Sequence, residues 1–521
     1  MNGAQALIRT LVDSGVDVCF ANPGTSEMHF VAALDQVPEM RGVLCLFEGV
    51  VTGAADGYAR MADKPAATLL HLGSGLGNGL ANLHNARRAR TPIVNIVGDH
   101  ATYHKQYDAP LDSDIETVAR NVSGWLRTSA APSDIAADAA EAVAAAYGPP
   151  GQVATLILPA DVSWLEAGEP AAAIDPAARR SVDAATVARL GDILRAGESA
   201  ALMVGGSALR QAALVDASRI AATTGAKLLG ETFPRRLERG AGLPAVERLG
   251  YLAEFAAMQL DGVAHLILVD ANSPVSFFAY PGKASDLVPD GCTVHVLAGP
   301  GDDAPAALAA LAGAVGAPAD AAVVQAAERP DRPTGPLTAE TVGRAIGATL
   351  PADAIVSDEG NTTGLFVSGF TAGAPRHDWL TLTGGAIGFG MPVATGAAVA
   401  CPDRPVLSLE ADGSAMYTLQ SLWTQAREGL DVTTVILANR SYAILNMELA
   451  RVGAADESGA GPRAAAMLDI GRPDLDFVSL SEGLGVPATR AETAEELTTA
   501  LEKAFAEPGP HLIEAVLPTR M

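Results

Sequence analysis

Residues 405–441 read PVLSLEADGSAMYTLQSLWTQAREGLDVTTVILANRS, and the order of residue types along this stretch decides the fold. PVLSLEAD and TTVILAN are short apolar runs rich in β-branched residues, the mark of strands buried on both faces of a parallel sheet. Between them lies a helical segment that starts near Ala415. Asp412 therefore ends one strand and Asn439 ends the next, and in a parallel sheet both ends point to the same edge. Ser441 follows two residues on, and Gly413-Ser414 permit a tight turn into the helix. A carboxylate, an amide oxygen and a loop carbonyl converging at one edge are hard oxygen donors suited to Mg²⁺ or Ca²⁺. The helix N-terminus beside them accepts anionic phosphate oxygens. Asp412 alone also reads as a helix cap; the complete spacing reads as a metal and diphosphate site.

The same alternation runs through the chain. VDVCFANPG, AATLLHL, PIVNIVGD, VATLILP, SALMVGG, AHLILVD, AIVSDEG and HLIEAVLP are further strand candidates with helical segments between them. This is the pattern of doubly wound α/β sheets. Glu166–Ala184 and Val315–Pro336 are rich in Pro, Ala and charge and read as linkers. They predict three parallel-sheet domains, 1–165, 185–315 and 337–521. The first and third echo each other. TGAADGYARMADKPAATLLHLGSG, from Thr52, parallels TGAAVACPDRPVLSLEADGS, from Thr395, and GPPGQVATLILP parallels EPGPHLIEAVLP. Several matches in one order imply a duplicated α/β domain. Ligands of such pairs bind at strand C-termini and between domains.

The 521 residues hold 35 Lys+Arg against 60 Asp+Glu, a formal net charge of -25. That balance opposes nucleic acid and anionic membranes, whose phosphates demand a basic footprint. It does not oppose a phosphorylated ligand held by backbone N–H groups and a metal. Trp379–Pro402 is uncharged and long enough to span a bilayer, but glycines and prolines break it, and it reads as a buried loop and helix. Cys19, Cys45, Cys292 and Cys401 form no CxxC pair, so neither zinc nor disulfides are expected. No secretory leader is read in the first residues, and with free thiols the expected location is cytoplasmic.

Glu410–Ser441 resembles the thiamine-diphosphate (ThDP) motif, GDGS with an Asn at the end of the following strand, and departs from it at the first glycine, here Ala411. The chain is identified by this resemblance as a member of the ThDP-dependent enzymes. The resemblance implies that Asp412, the Asn439 side chain and the Ser441 backbone carbonyl bind Mg²⁺, and that Gly413 and Ser414 hold the diphosphate. Thiamine chemistry also needs a buried carboxyl group against the cofactor's aminopyrimidine, since burial raises a carboxyl pKa and lets it share a proton. Glu48, in LCLFEGVVTGAADGYAR, matches the family's Glu before AADGYAR; a satisfied Glu at a helix start is the plainer alternative. GGAIGFGMP, from Gly384, resembles the loop that grips the aminopyrimidine, with the Gly385 carbonyl as acceptor and Ile387 as apolar buttress; ordinary glycine-rich packing is its alternative. EGNTT, from Glu359, resembles the segment that reaches the diphosphate, here through Asn361 and Thr362.

Within the family the likeness is greatest to benzoylformate decarboxylase-like enzymes. ANPGTSEMHF is similar to their NPGS-x-E turn and sets Thr25 where a substrate-binding Ser stands. LLHLGSGLGNG sets His71 on their active-site His, a proton shuttle. Their second His has no counterpart, because NSPVSFFAYPG offers Phe277, Phe278, Ala279 and Tyr280. GDHATYHKQYDAPL brings His100, Tyr103 and His104 to a loop that lines the pocket in relatives and also resembles that of acetolactate synthases. The resemblance implies a ThDP- and Mg²⁺-dependent, non-oxidative 2-oxo acid decarboxylase, with carboligation to a second carbonyl compound as a further outcome. An acetolactate synthase-like ligase is the alternative, and a non-catalytic ThDP-binding protein a third reading. GSGLGNG also resembles a dinucleotide fingerprint, but Asn78 stands at its third glycine. MVGGSALR carries no flavin motif, so FAD is neither indicated nor excluded. Membership further implies a homodimer or homotetramer in which Glu48 and the metal motif come from different subunits.

Overall fold

The computed structural model describes residues 1–455 and 460–519. Its strands form three mostly parallel sheets, each in its own domain. The first contains β1 (Val18–Asn22), β2 (Arg41–Leu44), β3 (Ala66–Leu70), β4 (Ile93–Asp99), β5 (Trp125–Thr128) and β6 (Val153–Pro159), in the order β2-β1-β3-β4-β6-β5. The middle sheet is built from β7 (Ala200–Val204), β8 (Lys227–Gly230), β10 (Glu247–Arg248), β11 (His265–Val269) and β12 (Thr293–Ala298), in the order β10-β8-β7-β11-β12. The third contains β13 (Ile355–Glu359), β14 (His377–Thr381), β15 (Val406–Ala411), β16 (Val432–Ala438), β17 (Ala488–Ala491) and β18 (His511–Val516). It also takes β9 (Leu237–Arg239), and its order is β17-β18-β16-β15-β13-β14-β9.

The apolar runs form strands because helices cover both faces of each sheet, which leaves no wet side to mark with polar residues. β4 is buried along its whole length. Its one polar interior residue, Asn95, is satisfied within the sheet: it accepts from Thr68 Oγ1 at 2.7 Å and donates to Thr155 Oγ1 at 2.9 Å. β9 departs from the expected parallel architecture. It comes from the middle stretch of the chain yet pairs antiparallel with β14, Leu237 opposite Trp379. Trp379–Thr381 lies in β14, so the uncharged stretch expected as loop and helix begins inside a strand. Among the described residues no helix is long and apolar enough to cross a membrane. All four cysteines are free.

Taken from the β14 end, the third sheet runs β14-β13-β15-β16-β18-β17. That is the first sheet's strand order repeated strand for strand, so the duplication read from the sequence is a duplication of topology. The two TGAA segments fall in equivalent helices, Glu48–Ala62 and Gly390–Ala400. These helices pack directly on each other, and glycines set their distance. A Cβ on Gly57 would lie 2.1 Å from the Val393 carbonyl oxygen, and one on Gly396 would lie 1.8 Å from that of Ala54. Gly396→Ala should therefore push the domains apart and cost about 1–3 kcal/mol. A lower urea midpoint at constant slope would record it; an unchanged midpoint would refute the close packing.

Candidate active site

Glu48 opens its helix just beyond β2, after Phe47 in extended conformation. The side chain is buried, and its Oε2 accepts from Asn78 Nδ2 at 3.0 Å. His71 stands at the end of β3 and precedes the helix Leu72–Ala89. Leu72 has φ of 55°, a left-handed conformation that costs a branched residue about 1–3 kcal/mol. A Cβ on Gly75 would lie 3.2 Å from Glu48 Oε1 and 3.4 Å from His71 Cβ. Gly75 thus packs between the Glu48 carboxyl and the His71 β-carbon and lets the two residues stand side by side as one wall.

Behind that wall sits Glu27. His71 Nδ1 pairs with Glu27 Oε2 at 2.8 Å, and the same oxygen accepts the Gly24 N–H at 2.7 Å. Glu27 is fully buried, and its other oxygen has no partner. Burial pushes its carboxyl above the ordinary range, and the adjacent His71 pulls it back. With Glu27 accepting at Nδ1, Nε2 is left free to exchange a proton. Gly24 is pressed on the ring, since a Cβ there would meet Nδ1 at 2.2 Å. Thr25, exposed, begins the short turn that carries Glu27. Of the neighbouring loop, Tyr103 points to solvent and the His100 ring lies 5.4 Å from that of His104; none of the three hydrogen-bonds to His71 or Glu48.

The loop 384–389 is gripped from several elements. Arg60 and Asp56 form a fully buried ion pair at 2.6 Å, and Arg60 also donates to the Thr381 carbonyl at 2.9 Å and to Thr383 Oγ1 at 3.1 Å. Those extra bonds satisfy the guanidinium, which burial would otherwise penalise. Asn82 donates to the Gly388 carbonyl at 3.0 Å and Asn85 to that of Ala386 at 2.8 Å. Gly385 has φ of 76°, and a Cβ on it would strike the Phe277 ring at 2.6 Å. Ile387 is partly buried against the core under the two packed helices. From β13, Glu359 accepts the N–H groups of Gly388, Phe389 and Gly390 at 2.8, 2.8 and 2.6 Å. Glu410 lies beside it in the neighbouring strand and is also buried. Burial pushes Glu359 up to about 7, and burial together with the Glu359 charge raises Glu410 well above the ordinary carboxyl range.

The third group surrounds the turn after β15. Asp412 Oδ1 accepts from the Gly413 N–H at 2.8 Å and Oδ2 from the Arg440 N–H at 2.6 Å. Asn439 Oδ1 accepts from the Ser441 N–H at 3.0 Å. Ala411 adopts φ of -75° and ψ of 143°, a conformation open to any residue, so the family's glycine is not needed there. Asn361, at φ of 46°, donates to Ser414 Oγ at 3.0 Å, and Thr362 next to it is buried. Burial raises the Asp412 carboxyl to about 6. Among the described residues no three His, Cys, Asp or Glu side chains form a metal site by themselves. One carboxylate with neutral oxygens is instead a donor set that suits Mg²⁺ carrying a ligand's phosphates, and a cation there would relieve the cost of burying Asp412.

Within one chain, then, Glu27, Glu48, His71 and Asn78 gather at one sheet edge. Asp412, Gly413, Ser414, Asn439, Ser441 and Asn361 gather at another. No hydrogen bond or ion pair joins the two sets among the described residues. The GSGLGNG glycines lie inside the helix Leu72–Ala89 rather than in a phosphate loop, which removes the dinucleotide reading. The Asn that breaks that fingerprint is the partner of Glu48. A cavity of about 640 Å³ lies apart from both sets, between the N-terminal and middle domains. Its Arg210 is already paired with Asp63 and Glu238, and its Arg236 with Asp378.

Two family models match, described as thiamine pyrophosphate enzyme, N-terminal TPP binding domain, over residues 1–119, and C-terminal TPP binding domain, over residues 358–515. A benzoylformate decarboxylase of Pseudomonas aeruginosa is 31% identical over 96% of this chain and 96% of its own length. The chain belongs to the thiamine pyrophosphate enzyme family. The first model covers Glu27, Glu48 and His71, and the second covers Asp412 and Asn439. A Mycobacterium tuberculosis protein with the provisional name acetolactate synthase large subunit IlvX is 64% identical over 100% of this chain and 99% of its own. The solved structure of a Rhodococcus jostii ThDP-dependent 4-hydroxybenzoylformate decarboxylase superposes with a TM-score of 0.87 at 25% identity, covering 100% of this chain and 99% of that one. This thiamine pyrophosphate enzyme thus has both decarboxylase and acetolactate synthase-like relatives.

Proposed function

We propose that the enzyme decarboxylates a 2-oxo acid without oxidation, using ThDP held through Mg²⁺. When bound, the cofactor supplies the electron sink that this carbon–carbon cleavage requires. The wall formed by Glu48, Gly75 and His71, with Glu27 behind the imidazole, carries the proposal. Asp412, Asn439 and the Ser441 carbonyl hold the metal, and Gly413, Ser414, Asn361 and Thr362 face the diphosphate. Gly385 and Ile387 orient the pyrimidine end, where the Glu48 carboxyl holds a proton. Thr25 receives the substrate carboxylate, and His71 Nε2 delivers a proton to the product carbon. Phe277 fills the space against Gly385 and is ringed by Phe233, Tyr251 and Phe278 at centroid distances of 5.7, 5.3 and 5.0 Å. Where a second His stands in the decarboxylase group, this chain has an aromatic wall, which favours a 2-oxo acid with an apolar side chain.

Incubation with ThDP, Mg²⁺ and a panel of aliphatic and aromatic 2-oxo acids tests the reading through the product formed. Aldehyde and CO₂ are expected, and His71→Ala should slow their release by about 10²–10⁴-fold. Turnover unchanged in that variant would remove the imidazole from the reaction. An acyloin product would instead support the carboligase reading. That reading draws on the loop beyond β4, where Tyr103 and Tyr107 are exposed.

No flavin belongs to this proposal. The middle sheet is all parallel, and its strand order reverses between β7 and β11, the place where a dinucleotide would sit. There Asp270 already accepts the Ser207 N–H and hydroxyl, both at 2.9 Å, and Glu231 accepts the Gly206 N–H at 3.2 Å. Carboxylates thus occupy the amides a diphosphate would need. A purified preparation should lack visible flavin absorbance; a stoichiometric yellow chromophore would contradict this.

We further propose a homodimer or homotetramer in which each site draws on two chains. Its support is the separation of the two residue sets and the apolar side chains left exposed near each: Leu46 by the first, Phe366, Met416 and Tyr417 by the second.

A further inference from the structure

We propose that Glu359 is a positioning residue for the pyrimidine end of the cofactor, because its carboxylate sets the shape of the loop 384–389 through three consecutive backbone amides. The inference rests on the ThDP reading above. A buried carboxylate costs several kcal/mol unless charge-assisted hydrogen bonds and a favourable dipole offset it. Here the Gly388, Phe389 and Gly390 amides supply the bonds, and the N-terminus of the helix Gly390–Ala400 supplies the dipole. A helix cap alone would not need the Gly388 amide, which lies before the helix. Gly388 is fixed on its carbonyl side as well. Its carbonyl accepts from Asn82 at 3.0 Å and from Thr418 Oγ1 at 3.2 Å, and Gly388 itself sits at φ of 90°.

Three elements therefore meet at the residue next to Ile387 and three residues from Gly385. Nothing can relax into the space behind. A Cβ on Gly390 would lie 2.0 Å from Glu410 Oε1 and 3.0 Å from Glu359 Cβ. Glu410 is the direct cross-strand partner of Glu359 in the β13–β15 pairing, and Ser408 donates to its Oε1 at 3.0 Å. Glu359 is also followed directly by Gly360, Asn361 and Thr362. One side chain thus ties the segment assigned to the diphosphate to the loop assigned to the pyrimidine.

The test is calorimetric titration of full-length Glu359→Gln and wild type with two probes in the presence of Mg²⁺: ThDP and inorganic diphosphate. Gln keeps the size but cannot accept at both ends, so it loses the amides on one oxygen. ThDP affinity should fall about ten-fold or more, an affinity change of about 1.4 kcal/mol. Inorganic diphosphate, which does not reach the loop, should keep its affinity. Equal loss for both probes, or no loss for either, overturns the inference while leaving the ThDP reading intact. A wild type that binds neither probe overturns the ThDP reading and the inference with it. If the variant does not fold, amide hydrogen exchange on the wild type decides. Phe389 and Gly390 equally protected with and without ThDP supports a loop preformed by Glu359; protection that arises only with ThDP overturns it.

Discussion

Glu48→Gln should lower kcat/KM by about 10²–10⁴-fold and leave both the fold and the cofactor affinity in place. The substitution keeps the size of a side chain that is 7% exposed, and Asn78 Nδ2 can still donate to the remaining oxygen. Packing and hydrogen bonding are therefore conserved at the helix start. What disappears is the ability to hold and release a proton at the pyrimidine end. Because each ten-fold in rate is about 1.4 kcal/mol of barrier, the loss corresponds to roughly 3–5 kcal/mol in the transition state alone. Steady-state kinetics with saturating ThDP, alongside ThDP titration, separates the two quantities. Activity within about two-fold of wild type would move the proton-holding role away from Glu48. The buried Glu27, with its unpartnered oxygen, would be the next carboxyl to try.

Asp412→Ala should fail earlier, at cofactor loading. The side chain is the sole carboxylate of its donor set, and it also orders the turn by accepting the Gly413 and Arg440 amides. Wild type should melt several degrees higher with ThDP and Mg²⁺, because a ligand present at 100 times its Kd adds about 2.7 kcal/mol to stability. The variant should show no such rise at the same concentrations. A rise equal to that of the wild type would exclude Asp412 as a ligand. Co-expression of the two inactive variants, Glu48→Gln and Asp412→Ala, then tests whether sites are shared. If each site takes Glu48 from one chain and Asp412 from the other, a mixed dimer has one site with both defects and one with neither. Random pairing makes half the dimers mixed, so about a quarter of wild-type activity should return. No recovery would confine each site to a single chain.

Much of this architecture could be read from residue order alone. Strands such as β4, β6, β15 and β16 are buried on both faces and are written as mostly apolar runs with few polar residues among them. The TGAA repeats foretold two copies of one strand order, and the run from Asp412 to Asn439 foretold two neighbouring parallel strands ending at one sheet edge. Edge strands were not legible. β5 and β12 expose part of their length and carry Arg, Trp or His among their residues, so no apolar run announces them. Short strands such as β9 were hidden because only the partner, β14, gives three residues a reason to be extended.

The partner choices around the site lay beyond the sequence for a related reason. Glu27 meets His71 because β1 lies beside β3, although 44 residues separate the two side chains. Glu359 meets Glu410 because β13 lies beside β15 in a register that sets them opposite each other. Asn78 reaches Glu48 because the two helices that carry them pack against each other. Periodicity and motif spacing report what each segment buries and which way its end points. Hydrogen-bond partners depend on sheet order and register, which the assembled core selects. The residue order by itself therefore determined a duplicated α/β chain in which Asp412 and Asn439 end neighbouring strands at one sheet edge, while the tertiary structure decided which carboxyls stand behind the imidazole and the glycine loop.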